Sequence, residues 1–332
     1  RGAMGGQHAR TAIVLGGGGA RCAYESGVVS GIVEVMKSEH HGPLFDVFCG
    51  TSVGAINATY LAACSNDEDH GAKGLEAHWR GLDLRTHLKI DLAGIVGLRG
   101  RGLFGKAPKT APGRSLLAIE ALERLVGDGT PWAQLRENVA SGVVKALVVT
   151  ALEIGSGRTH VFTDLAPGVE YPPSRDPRRR AVSDAISADH VLASAAIPLI
   201  FPPRRVRGGF FADGGIRFNT PLAPALRLGA ERIVVIPLLA EVPTDPPAER
   251  RIGPIFLAGK LLDALLLDPI SYDLQVLERF NRLVELLDET LTDEERDRID
   301  AAMTQERGTA YRKVETLVFR PSKDIGRMSR ER

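Results

Sequence analysis

The sequence predicts an α/β fold with three layers (α/β/α), in which helices cover both faces of a mostly parallel central sheet. Two observations support this prediction. Short apolar runs that suit buried strands alternate with segments of helical periodicity from residue 11 to residue 240, and this alternation is typical of parallel sheets. Two of the predicted strands also end in glycine-containing turns that lead directly into helices, as in strand–turn–helix units.

The first predicted strand comprises residues 11–15 and ends in the glycine run 16–19. A helix follows from about Cys22, because apolar residues recur there at helical spacing. The next strand, residues 44–48, leads through a short turn into an apolar helix at 55–63. These segments predict two successive strand–turn–helix units.

The middle of the chain begins with an irregular stretch at 81–113, rich in glycine and basic residues. This stretch is either a flap over a site or a surface insertion without such a role. An amphipathic helix is predicted at 115–126, and two strands joined by a hairpin turn at 143–152 and 159–163. After a loop rich in proline and arginine, a further helix is predicted at 182–194.

Two more strands are predicted at 210–212 and 232–238. Beyond them, the pattern predicts helices at 253–288 and 293–307 and a last strand near Thr316. The first of these helices has a broad apolar face, which suits packing onto the main domain. Docking on a membrane surface, or covering a channel for an acyl chain, are the alternatives for the same face.

We therefore expect three parts in the chain. Residues 1–10 resemble an expression scar rather than a signal peptide, residues 11–240 form the main domain, and residues 241–332 form a C-terminal helical extension. No apolar run approaches the roughly 18 residues that span a bilayer, so a cytoplasmic location, with or without peripheral membrane contact, is expected. The sequence makes no prediction of the oligomeric state.

Composition excludes several classes of protein. The 332 residues are 44% hydrophobic and 25% charged, and the formal net charge is +1. A dedicated nucleic-acid binder usually carries a strong basic excess, so no nucleic-acid partner is expected. The three cysteines, an odd number without regular spacing, do not suggest a disulfide scaffold or a zinc site, and no metal or other cofactor is expected.

A Gly-x-Ser-x-Gly pattern, formed by Gly50, Ser52 and Gly54, lies between the second predicted strand and its helix. A serine on such a sharp turn is lifted out of the sheet, and glycines relieve the crowding around it. The helix that follows points its N-terminal amides toward any oxyanion formed there. Ser52 is therefore a candidate nucleophile, with a simple helix-capping serine as the alternative.

The glycine run supplies a candidate oxyanion site. Consecutive amides at a strand-to-helix turn form an anion-binding nest, so Gly17, Gly18 and Gly19 are the candidate donors. The start of a dinucleotide site is the alternative. Residue 22 is a cysteine, however, so the run lacks a clean Gly-x-Gly-x-x-Gly pattern.

A base is needed to remove the serine proton. Asp213 leaves an apolar strand and enters a Gly-Gly turn, and no histidine follows it in the chain. The serine–acid–histidine order of α/β-hydrolases therefore cannot be built on Asp213. A triad of Ser52 with His190 and either Asp164 or Asp184 is arithmetically open, as is a simple turn role for Asp213.

In this order, the glycine nest, the serine turn and the Asp-Gly-Gly turn resemble the patatin-like phospholipase family of serine acyl hydrolases, over roughly residues 11–240. The resemblance implies a Ser-Asp dyad of Ser52 and Asp213 that needs no metal. The segment 193–203 is also similar to a family block that places an apolar wall beside the serine. The substrate that the resemblance implies is a lipid.

The resemblance also assigns supporting roles. It implies that the amides of Gly17, Gly18 and Gly19 hold the oxyanion and that Arg21 supports the loop or a phosphate. Gly50, Gly54, Gly214 and Gly215 complete the motifs. Cys22 departs from the family pattern, which usually has glycine at this position, and this places in question how closely the backbone packs after Arg21.

Two other classes of function stay open at this point. One is a regulatory module that binds a phosphate or nucleotide at the glycine run and leaves Ser52 inert. The other is a degenerate lipid-binding protein without turnover, which Cys22 would favour. The arginines of the 165–180 loop contact either lipid phosphates or only solvent; they are Arg175, Arg178, Arg179 and Arg180.

Overall fold

A computed structural model describes most of the chain: residues 9–37, 42–81, 120–174, 176–198, 200–217, 221–240, 269–307 and 312–325. Several sequence predictions fall outside these residues. They concern 1–8, nearly all of the irregular stretch 81–113, Arg175, the first part of the helix at 253–288, and the His40–His41 pair.

The described residues form one nine-stranded sheet with the order β5-β4-β3-β2-β1-β8-β9, in which β7 also pairs with β3, and β6 with β7. The strands from β3 to β9 along this order are parallel to one another, whereas β4 and β7 run antiparallel to β3. The prediction of a mostly parallel sheet is confirmed. The strands are β1 Thr11–Leu15, β2 Val47–Thr51, β3 Ala146–Glu153, β4 Thr159–Leu165, β5 Arg179–Ser183, β6 Arg204–Val206, β7 Gly209–Asp213, β8 Arg232–Ile236 and β9 Glu315–Val318.

Helices cover both faces of the sheet, as the alternation of strands and helices predicts. Ile13 and Leu15 of β1 face one apolar core, and Ala12 and Val14 face the other, because successive side chains of a strand point to opposite faces. The helices are α1 Ala23–Met36, α2 Val53–Ala63, α3 Ala72–Gly81, α4 Glu120–Gly127, α5 Trp132–Ala140, α6 Ala188–Ser194, α7 Leu222–Arg227, α8 Pro269–Thr290 and α9 Asp293–Arg307.

The segment predicted as a helix at 182–194 differs in the structure. Its start belongs to β5, which pairs in parallel with β4 over Thr159–Thr163, and only α6 is helical. Pairing with β4 outweighs the local periodicity here. Ser187 begins the helix through a capping box with His190, which satisfies backbone groups at the helix start.

The C-terminal part of the chain joins the main domain on both a face and an edge of the sheet. Leu274 and Leu277 of α8 are buried in the second core, which is the packing expected for an amphipathic helix. The strand expected near Thr316 is β9, and it extends the sheet beside β8. Among the described helices, none combines the length and apolar character needed to cross a membrane.

Candidate active site

The sheet topology brings the serine turn and the Asp-Gly-Gly turn together. Strands β2 and β3 pair up to Thr51 opposite Thr150. The next residue of β3, Ala151, pairs instead with Asp213 of β7. Ser52 follows Thr51 directly, so the end of β7 lies beside the position where the serine turn leaves β2.

The backbone of Ser52 is strained, with φ 57° and ψ −132°. A non-glycine residue in this region costs about 1–3 kcal/mol and persists only where its surroundings hold it. The two flanking glycines are required by close packing. A Cβ on Gly50 would lie 2.5 Å from the Cα of Ala55, and one on Gly54 would lie 2.4 Å from the Leu15 carbonyl oxygen.

The two candidate catalytic side chains are in direct contact. Ser52 Oγ donates a hydrogen bond to Asp213 Oδ2 at 2.5 Å, and the Gly215 N–H donates to Asp213 Oδ1 at 2.7 Å. Both side chains are fully buried. Burial raises the pKa of Asp213 to about 7, although the hydrogen bonds from Ser52 and Gly215 oppose this rise.

One short segment at the end of α6 holds the backbone of both residues. Ser194 Oγ accepts the Ser52 N–H at 2.8 Å and donates to the Thr150 carbonyl at 2.7 Å. Two residues later, the Ala196 carbonyl accepts the Asp213 N–H at 2.9 Å. Ser194 belongs to the segment 193–203 that the resemblance assigns to an apolar wall, and the local sequence does not mark its hydroxyl as a hydrogen-bonding group.

Gly214 fits against the same strand. A Cβ at this position would lie 2.3 Å from the Thr150 carbonyl oxygen. Only glycine allows the Asp-Gly-Gly turn to pack this closely on β3. The Thr150 hydroxyl is within hydrogen-bond distance of the Thr51 hydroxyl at 2.7 Å, which fixes the side chains of β2 and β3 just before the serine turn.

The glycine run lies at the end of β1, beside the serine turn. Because a Cβ on Gly54 would lie 2.5 Å from the Gly16 carbonyl oxygen, the first turn of α2 packs directly on this run. Gly17 and Gly18 link β1 to a 3₁₀ turn over Gly19–Cys22, in which the Arg21 N–H donates to the Gly18 carbonyl at 3.2 Å. Gly19 has a positive φ of 58°.

The Cys22 side chain packs against the glycine run. Its side chain is fully buried, and its Sγ lies 3.6 Å from the Gly16 carbonyl oxygen. The thiol packs near Leu238 in a small apolar cluster. Burial raises the pKa of Cys22 well above its ordinary value, so this thiol is protonated and is not a competing nucleophile.

A buried polar network lies behind the serine turn, and the sequence does not predict it. Asn57 of α2 donates from Nδ2 to Glu25 Oε2 at 2.7 Å and to the Cys22 carbonyl at 3.1 Å. Trp79 Nε1 donates to Asn57 Oδ1 at 3.0 Å. Burial raises the pKa of Glu25. The signal in the sequence was a glutamate on an otherwise apolar helix face.

The structure does not support the alternative triad of Ser52 with His190, because His190 and Asp164 have other partners. The ring of His190 lies 2.9 Å from the Ser187 hydroxyl through Nδ1 and 3.5 Å from Asp184 Oδ2 through Nε2. Asp164 contacts Arg136 and the Ile186 N–H instead. Within the described residues, no group of three or more histidine, cysteine or acidic side chains is placed to hold a metal ion.

The arrangement of a buried serine, a buried aspartate and a glycine run agrees with a comparison of the sequence with protein families. The model of the patatin-like phospholipase family matches residues 13–226. This chain belongs to the patatin-like phospholipase family. The matched residues include the glycine run, Ser52, Asp213 and Ser194, whose hydroxyl hydrogen-bonds to the Ser52 N–H.

Two further comparisons place this patatin-like chain among known proteins. It is 28% identical over 215 residues to a cGAMP-activated phospholipase of Pseudomonas aeruginosa, across 63% of this chain and 53% of that protein. The chain thus spans about half the length of this relative. The crystal structure of VipD from Legionella pneumophila aligns with a TM-score of 0.40 and 14% identity, across 95% of this chain and 61% of that one.

Proposed function

We propose that the chain is a serine acyl hydrolase that cleaves fatty acyl esters of phospholipids, lysophospholipids or related lipids. The observation that supports this proposal most directly is the hydrogen bond from Ser52 Oγ to Asp213 Oδ2 at 2.5 Å. A carboxylate at this distance can accept the serine proton as Oγ attacks the ester carbonyl. Membership of the patatin-like phospholipase family supports a lipid ester as the substrate.

In the proposed reaction, Asp213 accepts the proton of Ser52 while Oγ forms a bond to the carbonyl carbon. The amides of Gly17, Gly18 and Gly19 hold the negative charge of the tetrahedral intermediate. The protonated Asp213 then donates its proton to the leaving alcohol, which gives acyl-Ser52. Water, activated by the same carboxylate, hydrolyses the acyl-enzyme and restores the serine.

The raised pKa of Asp213 suits both halves of this cycle. A carboxyl with a pKa of about 7 is a stronger base than an exposed aspartate, and it titrates near neutral pH, where it both accepts and returns a proton.

The test uses a fluorophosphonate probe and a panel of lipid esters. We expect wild-type protein to be labelled and Ser52→Ala not to be labelled. Asp213→Asn should lose hydrolysis, and Ser65→Ala, at a buried serine whose hydroxyl donates to the Leu61 carbonyl, should behave as wild type. Full activity in folded Ser52→Ala or Asp213→Asn would refute the dyad, and mass spectrometry of the products would identify the cleaved ester.

The relative from Pseudomonas aeruginosa is described as activated by cGAMP, so each assay is run with and without this cyclic dinucleotide. Activity that appears only with cGAMP would add an activator to the proposal. A nucleotide-induced thermal shift without any labelling of Ser52 would instead favour the phosphate-binding module. Lipid binding without turnover in either condition would favour the degenerate lipid-binding protein.

A further inference from the structure

Three surface segments meet at the carboxyl edge of the sheet, where the dyad also lies. They are the β3–β4 turn at 154–158, the start of β5, and the β6–β7 hairpin. The Ile154 N–H donates to the Phe210 carbonyl at 2.9 Å, which joins the turn to the hairpin. Arg179 at the start of β5 lies in register with Thr159 at the start of β4, so the third segment reaches the same edge.

Two adjacent apolar side chains are exposed on this edge. Ile154 is 49% exposed and Phe210 is 46% exposed. Phe210 precedes Asp213 by three residues along β7, which corresponds to about 10 Å of strand. An exposed apolar pair so close to a buried site is a candidate contact surface.

Exposed arginines lie on or beside these segments and in the turn after β7: Arg158, Arg178, Arg180, Arg205, Arg207 and Arg217. The neighbouring carboxylates offset only part of this charge: Glu153 interacts with Arg180 and accepts from Ser156, Asp176 pairs with a β5 arginine, and Asp184 pairs with Arg207 of the hairpin. Arg158, Arg178 and Arg205 make no ion pair within the residues that the structure describes, whereas Arg180 interacts with Glu153, Arg207 pairs with Asp184 and Arg217 donates to the Gly157 carbonyl. The edge therefore carries a local excess of positive charge on a chain of almost zero net charge.

We propose that this surface, which we call the basic rim, docks on an anionic phospholipid surface. The basic rim is defined by Ile154, Phe210, Arg158, Arg178 and Arg205. This proposal rests on the proposed function, because it places the edge that contains Ser52 against the substrate phase. The arginines bind headgroup phosphates, and the apolar pair enters the boundary between headgroups and acyl chains.

A lipid surface fits the basic rim better than a nucleic acid. Both offer phosphates to the arginines. Only a lipid surface also offers an apolar layer to the neighbouring side chains of Ile154 and Phe210. The rim also lies on the edge that carries the dyad, where an acyl ester has to arrive. Nucleic-acid binding is therefore kept as an outcome of the test rather than as the proposal.

Docking is measured by flotation with the inactive Ser52→Ala protein, so that vesicles stay intact and failure of the hydrolase proposal does not affect the result. Vesicles contain phosphatidylcholine alone or with phosphatidylglycerol. An arginine near an anionic surface changes binding by about fivefold, so Arg158→Gln with Arg205→Gln should lower the partition coefficient about 25-fold. Phe210→Ala should cause a smaller loss that persists at high salt.

The matched control is Arg279→Gln with Arg298→Gln, which removes the same charge from exposed positions on α8 and α9. We expect this control to bind anionic vesicles as the parent does, and all variants to show unchanged circular dichroism. Three results would overturn the proposal: no binding by the parent, equal binding to neutral and anionic vesicles, or equal losses in rim and control variants. Stronger binding of duplex DNA or RNA than of anionic vesicles would also overturn it.

Discussion

Replacing Asp213 by asparagine should abolish hydrolysis and at the same time stabilise the protein above neutral pH. The folded protein holds the Asp213 proton with a pKa of about 7, against 3.8 for an ordinary aspartate. Between these values the folded state binds a proton that the unfolded state has lost. Below pH 3.8, Asp213 therefore does not lower the free energy of unfolding. As pH rises above 3.8 it lowers that free energy progressively, and the loss is complete above about pH 7.

The size of the effect follows from the pKa difference. At about 1.36 kcal/mol per pKa unit, a rise from 3.8 to about 7 corresponds to about 4 kcal/mol, of which about 3 kcal/mol develop between pH 5 and pH 8. The neutral amide of Asp213→Asn escapes this cost. The variant should gain about 3 kcal/mol relative to wild type when pH is raised from 5 to 8.

The measurement is chemical denaturation at several pH values, with Asp128→Asn, an exposed aspartate, as the control for the same chemical change. For wild type, hydrolysis should rise about tenfold per pH unit up to about pH 7 and then level off, because the base must be deprotonated. A stability difference between wild type and Asp213→Asn that stays constant from pH 5 to pH 8 would refute the reasoning.

Three further predictions follow from the site. Ser194→Ala leaves the Ser52 N–H without its acceptor, which should cost about 1–3 kcal/mol of stability and lower kcat more than it raises KM. The control Ser65→Ala should lower stability without this kinetic change. Equal kinetics in the two variants would contradict a positioning role for Ser194. Gly54→Ala should yield little folded protein, since its Cβ would meet the Leu15 carbonyl at 2.4 Å, and native-like melting would argue against this packing. All three cysteines are buried, so a thiol reagent should react with them only after unfolding, as absorbance before and after denaturant will report.

The sequence was sufficient for the parts of the site that depend on local geometry. A serine between two glycines at a strand-to-helix turn, and an aspartate before two glycines, are constrained by their own neighbours. Their pairing required no detailed knowledge of the fold beyond the family resemblance. Ser52 and Asp213 are indeed in hydrogen-bond contact, while their catalytic roles stay a prediction.

The parts that the sequence did not predict depend on distant contacts. Ser194 meets Ser52 across 142 positions of the chain, and no local pattern distinguishes it from other helix-ending serines. Strand β5 could not be predicted because its arginine-rich sequence resembles a loop. It is a strand only because it pairs with β4. Glu25 stands out in the sequence as an acidic residue on an apolar helix face, but its partner Asn57 is identified only once the two helices pack together.

The position of β1 inside the sheet has a consequence for how the chain folds. One edge of β1 pairs with β2, but the other pairs with β8, where Thr11 is opposite Arg232. At a synthesis rate of about 5–20 residues per second, the ribosome needs on the order of ten seconds or longer to deliver that partner. During this interval an apolar strand has an open edge, which invites intermolecular pairing. The slow search for the distant partner is therefore expected to limit the yield of native protein, and a chaperone that shields this edge should raise it.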